Sequence, residues 1–173
     1  MGFIIQNIIF VAKILSCKDN MISENSLQRF RETSRMYSDA SIFMHEAIAR
    51  KAGLTGADHK YLGLILQHKA LTAGELSSLT GLTTGAVTGL VDRLEKMQLL
   101  KRQFTKEDRR KVIIVPLEAN IMKLMQPLFQ ELQQKTTELI TSFSESDINI
   151  IEKYFSEATK IMKETTQNLN TDK

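Results

Sequence analysis

Lys106, Arg109, Arg110 and Lys111 crowd one short stretch that also carries Asp108. Arginine is the side chain best matched to a narrow, electronegative groove. An aspartate two residues away, as Asp108 is from Arg110, can brace the guanidinium by a bidentate bond and leave its other face free. Upstream, Thr83, Thr84, Thr88 and Arg93 are interleaved with Gly85 and Gly89 on one side of a helical repeat. Threonine hydroxyls bond to base edges or phosphates, and the threonine methyl packs on the thymine methyl. Two glycines inside a helix cost about 1 kcal/mol each relative to alanine, so a close approach to another surface accounts for them better than a solvated face does. This is the chemistry of recognising a polyanion rather than of breaking bonds. No Gly-rich phosphate loop, Ser elbow or paired zinc motif occurs, so the chain is read as no enzyme and no cofactor is implied.

Such side chains need elements to hold them, and the run from Leu71 to Pro116 supplies these. Thr72 is placed to cap a helix with Glu75 as its capping-box partner, Leu76 and Leu79 give it an apolar stripe, and Gly81 ends it. A second helix starts at Thr83 or Thr84, and Ala86, Val87, Leu90, Val91, Leu94 and Met97 follow the spacing of one buried face. Leu99, Leu100, Arg102 and Phe104 then begin an extended run. A charged turn follows, and Val112, Ile113, Ile114 and Val115 form a β-branched return strand stopped by Pro116. Two short helices meeting at a Gly turn, followed by a hairpin with a basic tip, make a helix-turn-helix with a wing, a unit that sets a helix in the DNA major groove.

Charge is distributed accordingly. A chain of 173 residues, 42% hydrophobic and 25% charged, is long enough for one ordinary core, and its net charge of +3 is modest. Between Thr83 and Lys111, however, Arg93, Lys96, Lys101 and Arg102 join the cations of the tip and outnumber the acids, whereas acids prevail after Pro116. A basic patch confined to one module is the footprint of nucleic-acid binding. Elsewhere the periodicity is helical. Leu27, Phe30, Ser34, Tyr37, Ser41, Met44 and Ile48 stripe a long helix ending near Gly53, and Asp58 opens another with Tyr61, Leu62, Leu64, Ile65 and Leu66. Ile121 to Phe143 marks a further long helix, bent at Pro127, and SESD caps a last one. The expected fold is mainly α with a small β-hairpin wing: an uncertain extension over 1–20, a dimerisation helix over 21–55, the winged helix-turn-helix over 56–117 and dimerisation helices over 118–173. Apolar surface left over on the terminal helices calls for a second copy, and a two-fold dimer spaces its recognition helices by about 34 Å, one turn of a pseudopalindromic operator.

The run AVTGLVDRLEKMQLLKRQFTKEDRRKVIIVPL closely resembles the winged-helix core of the MarR family of transcriptional regulators, which shows a small-residue recognition helix, a VDRLE-like continuation, a GLV-like wing start and a D-x-R tip. The resemblance extends more weakly from about Ser26 to about Leu169. It implies a ligand-responsive homodimeric repressor on double-stranded DNA, with Thr84, Thr88 and Arg93 on the DNA-facing helix, Asp108 as the wing brace and Arg110 as the minor-groove reader. It also implies a crevice for a small effector, often anionic or aromatic, lined near Met44, Ile48, Tyr61 and Leu64. Three positions depart from the pattern. Met97-Gln98-Leu99 stands where members often carry glycine, Leu117-Glu118-Ala119-Asn120 replaces the usual LT-x-x-G helix entry, and Gly89 stands where many members have arginine.

Two alternatives accompany this reading: a winged helix used only for protein contacts, and a metal-responsive regulator built on His45, His59 and His68, whose spacings put no ligand pair on one helix face. The helix from Glu24 to Gly53 has no cysteine, which argues against peroxide sensing. A single cysteine, Cys17, suits a reducing cytoplasm. The apolar run from Phe3 to Leu15 is too short to span a membrane and lacks a basic n-region, and Met21 is an alternative initiator. No membrane partner is expected.

Overall fold

A serine hydroxyl opens the first long helix: Ser23 accepts the Ser26 amide at 3.1 Å at the start of α1 (Glu24–Lys51). The computed structural model describes residues 22–104 and 112–171. The chain divides between Met44 and His45 into two units, so that α1 runs from the first into the second. Of its expected stripe, Leu27, Ser34, Ser41 and Met44 are half-buried and Ile48 is buried, whereas Phe30 and Tyr37 are exposed.

The second unit holds the core. Past α1 the backbone turns at Gly53, at φ 75°, and buries Leu54. The Thr55 hydroxyl then accepts the Asp58 amide at 3.0 Å and starts α2 (Gly56–His68), two residues ahead of the expected start at Asp58 because the cap lies before it. A two-residue strand, β1 (Leu71–Thr72), precedes α3 (Ala73–Thr80). The capping box forms as expected: Thr72 Oγ1 accepts the Glu75 amide at 3.2 Å and Glu75 Oε2 accepts the Thr72 amide at 2.6 Å. Gly81, at φ 72°, closes α3 in the left-handed region. Then come α4 (Thr84–Lys96), β2 (Leu100–Phe104) and β3 (Val112–Pro116).

The sheet is antiparallel in the order β1-β3-β2, with Leu71 opposite Ile114, Leu100 opposite Pro116 and Phe104 opposite Val112. The expected hairpin is therefore the larger part of a three-stranded sheet. Its third strand is too short to show any alternation, and Thr72 ends that strand while capping α3. Leu62 and Ile65 of α2, Leu76 of α3, Val87, Leu90, Val91 and Leu94 of α4, and Leu71, Leu100 and Ile114 of the sheet fill one core. Three expected core residues lie outside it: Leu79 is exposed because so short a helix buries only Leu76, and Ala86 and Met97 fall at the edges of the α4 stripe.

Arg102 fastens β2 to α4. Its amide donates to Glu95 Oε1 at 2.8 Å, and its guanidinium bonds to Glu95 and, at 2.5 Å, to Asp92. Between α4 and β2 the backbone passes through Gln98 at φ 56°, within the Met97-Gln98-Leu99 segment where members of the resembled family often carry glycine. Asn120, from the unusual helix entry, donates to the Gln98 carbonyl at 2.8 Å. The helix it belongs to, α5 (Glu118–Thr141), continues through Pro127 and has no side-chain cap at Leu117. Ser144 and Asp147 exchange bonds at the start of α6 (Glu145–Thr171), as the SESD pattern led us to expect.

A left-handed non-glycine residue costs roughly 1–2 kcal/mol, part of which glycine's extra unfolded-state entropy offsets. Gln98→Gly is therefore expected to stabilise the protein by about 0.5–1 kcal/mol in urea denaturation, and Thr72→Ala to destabilise it by about 1 kcal/mol through loss of the cap. No gain in Gln98→Gly would show that the Asn120 contact already relieves that strain.

Candidate nucleic-acid interface

Burial of Val87, Leu90, Val91 and Leu94 decides which residues α4 turns outward. Thr83, Thr84, Gly85, Ala86 and Thr88 are all exposed along its first two turns. The Thr83 hydroxyl is engaged as the N-cap, accepting the Ala86 amide at 3.3 Å, which fixes where the helix begins. Thr88 donates its hydroxyl proton to the Thr84 carbonyl at 3.0 Å, so its oxygen remains an acceptor and its methyl points away from that bond. A Cβ on Gly85 would meet nothing within 4 Å. Gly85 is therefore not required by packing among the described residues, and the first turns of α4 form a low, polar surface that another molecule can approach closely.

Arg93, expected on the DNA-facing helix, is exposed on α4 and also reaches a second helix. Its Nε donates to Asp58 Oδ2 at 3.2 Å and its Nη2 to Asp58 Oδ1 at 2.7 Å, a two-point bond from α4 to the first turn of α2. The Arg93 side chain stays 56% exposed while that of Asp58 is only 5% exposed. Burial pushes the Asp58 carboxyl up, but the hydrogen bonds from Arg93 and Thr55, with the charge of Arg93, outweigh it and hold the group below its ordinary value. The hydrogen bond to Asp58 raises the Arg93 guanidinium. Sequence reasoning missed Asp58 as a partner because its position, three residues after Thr55, reads as an ordinary helix start; nothing local says that it faces Arg93 on another helix. Lys106, Asp108, Arg109, Arg110 and Lys111 lie outside the described residues, as does Cys17.

The histidines are rearranged relative to their sequence spacing. His45 at the end of α1 and His59 on α2 bring their ring centroids within 5.3 Å, and Phe129 of α5 stacks on His59 at 6.1 Å. Burial pushes the His59 imidazole down, His45 pushes the same way, and Glu46 opposes them. His68 is exposed. Among the described residues no three His, Cys, Asp or Glu side chains converge on one point. Of the residues expected near an effector, Ile48 belongs to the core, Tyr61 and Leu64 are half-buried on α2, and Met44 is half-buried on the other unit's part of α1. Lys60 Nζ lies 5.4 Å from the centre of the Tyr61 ring.

The MarR family model matches residues 52–111, the span from the end of α1 to the wing. YcgE, an uncharacterized HTH-type transcriptional regulator of Bacillus subtilis, is 35% identical over 86% of this chain and 99% of its own length. The chain belongs to the MarR family. It is thus a DNA-binding transcriptional regulator with a winged-helix fold. A MarR family protein from Bacillus stearothermophilus superimposes with a TM-score of 0.63 at 24% identity, covering 83% of this chain and 99% of that one. A cysteine-to-serine mutant of MarR from E. coli, solved with operator DNA, does so at 0.52 and 18%, covering 80% and 99%. Among the described residues of this MarR-family chain no helix is long and apolar enough to cross a membrane.

The shifted groups set the pH dependence. The folded His59 binds a proton less readily than its unfolded form, whose value is 6.5, so its share of stability is full above that pH and is lost as pH falls through the folded value. Asp58 acts lower: its share is full above 3.8 and is lost as pH falls through its depressed value. The melting temperature should therefore fall more between about pH 7 and about pH 5 in the wild type than in His59→Gln. Parallel falls would remove His59 as the cause.

Proposed function

We propose that this MarR-family chain is a ligand-responsive homodimeric repressor that binds a pseudopalindromic operator. The observation that carries the reading is the outer face of α4, where Thr83, Thr84, Gly85 and Thr88 are exposed and, among the described residues, nothing lies within 4 Å of where a Cβ on Gly85 would stand. On this reading Thr84 and Thr88 meet base edges, Arg93 meets a phosphate, and Arg110, braced by Asp108, enters the minor groove while Lys106, Arg109 and Lys111 meet phosphates. That a protein of the same fold, a MarR mutant from E. coli, was solved with operator DNA supports DNA as the partner.

Dimerisation draws on the terminal helices. Met36 and Phe43 of α1, Leu139 and Ile140 of α5, and Ile150, Ile161 and Met162 of α6 are all more than half exposed in the single chain. So much apolar surface is what a two-fold partner covers. A small anionic or aromatic effector meets α2 at Tyr61 and Leu64 and shifts the spacing of the two recognition helices.

A duplex from the region upstream of the protein's own gene provides the test. Affinity should fall with salt with a log–log slope of about −0.9 per phosphate neutralised, and Arg110→Ala should weaken binding by about 1–3 kcal/mol with little change in thermal stability. Salt-independent binding, or full binding by Arg110→Ala, would contradict the assignment. Gly85→Ala separates close approach from mere exposure: it should stabilise the free protein by about 1 kcal/mol through helix propensity while weakening DNA binding. Stabilisation with unchanged affinity would place the DNA away from this turn.

A further inference from the structure

The bond between Asp58 and Arg93 is more specific in geometry than cohesion between two helices requires. Asp58 is the one buried charged residue among the described residues, and it takes the Nε and Nη2 edge of the guanidinium. A bidentate bond fixes the plane of an arginine as well as its position. The third nitrogen is then not free to wander. Nη1 lies 3.5 Å from where a Cβ on Gly89 would stand, and among the described residues it is the one atom that such a Cβ would meet. Arg93 therefore reaches back one helical turn and lies over the bare backbone at Gly89, the direction in which helical side chains lean. Nη1 makes no hydrogen bond among the described residues, and the half-exposed Arg93 side chain stands on the helix row that runs back through Gly89 to Gly85.

We propose that Asp58 is a positioning residue for DNA: it holds Arg93 flat along α4 so that the Nη1 donors stand over Gly89 and meet a backbone phosphate. The inference rests on the reading of α4 as the DNA-facing helix. Gly89 is part of the arrangement, because a long side chain there would compete for the space that Nη1 occupies. The cation that a residue at Gly89 does not supply is delivered from one turn further along, already ordered before DNA arrives. Ordering in advance removes a loss of side-chain freedom from the binding step. It also explains why a carboxylate is tolerated beside a surface that meets a polyanion: by charge alone Asp58 opposes binding, and the orientation it imposes on Arg93 more than offsets that.

The sign of one substitution decides the matter. Asp58→Asn removes a negative charge, so long-range electrostatics alone would tighten DNA binding. Fluorescence anisotropy titrations use two probes, a duplex from upstream of the protein's own gene and an unrelated duplex of equal length, at several salt concentrations. We expect Arg93→Ala to weaken both duplexes about tenfold and to lower the salt slope by about 0.9, as loss of one phosphate contact does. Asp58→Asn should weaken both several-fold, and it should cause no further loss in the Arg93→Ala background, since it acts only through Arg93. Arg93→Lys keeps the charge but not the fork and should bind nearly as weakly as Arg93→Ala; it leaves Asp58 in place and serves should Asp58→Asn fail to fold. Unchanged or tighter binding by Asp58→Asn, an undiminished loss in the Arg93→Ala background, or wild-type affinity in Arg93→Lys would each overturn the proposal. A wild-type chain that bound neither duplex would overturn the DNA-facing reading of α4 itself, a result distinct from wild-type binding that Asp58→Asn leaves intact.

Discussion

A helix that buries Val87, Leu90, Val91 and Leu94 has no freedom over which side chains it shows to solvent. That constraint governs the rest of the molecule. With the four residues buried in the same core as Leu62, Ile65, Leu76 and Leu100, the threonines and glycines of α4 must face out, and Arg93 and Asp92 must flank the buried stripe on either side. The two arginine clamps then act on a helix whose rotation is already set. Arg93 ties it to the start of α2 through Asp58, and Arg102 ties β2 to it through Asp92 and Glu95. The exposed pairs of Arg102 contribute little to stability one at a time, whereas Arg93 satisfies a carboxylate that is itself buried. Here their use is geometric, because each relates α4 to an element next to it.

Much of this was legible in the sequence, for reasons that differ from element to element. The capping box at Thr72 and Glu75, the left-handed Gly81 and the Ser144–Asp147 cap are local bonds between residues three or four apart, and local chemistry is what a sequence displays. The α4 stripe was readable because a buried face repeats with the helical period. Its edges were not, since Ala86 and Met97 have the right spacing and still fall outside the core. The strand β1 was invisible for want of length, and it exists because β3 offers it an edge. Departures from the family pattern also proved informative: Gln98 adopts the left-handed backbone that glycine would adopt freely, and the substituted helix entry supplies Asn120 to hold its carbonyl.

Long-range pairing was the blind spot. Asp58 and Arg93 are separated by 35 residues, and His45 and His59 meet across two helices although their spacing suggests no pair. In both cases the side chains are unremarkable where they stand and acquire their roles only when the helices pack. The sequence-based reading of an Asp–Arg brace concerned Asp108 and Arg110 in the wing; the brace visible among the described residues is Asp58 with Arg93, on α4 itself. Both would serve one end, holding a cation still before it meets a phosphate, which is the way electrostatic recognition gains specificity from a charge that by itself has none.

The central claim, that the outer face of α4 together with the wing is where this chain meets DNA, is most directly tested by amide hydrogen exchange with and without a duplex from upstream of its own gene. The account predicts slowed exchange in peptides covering residues 83–96 and 105–111 and no slowing over α6. Slowing confined to the terminal helices, with the α4 and wing peptides unchanged, would contradict it.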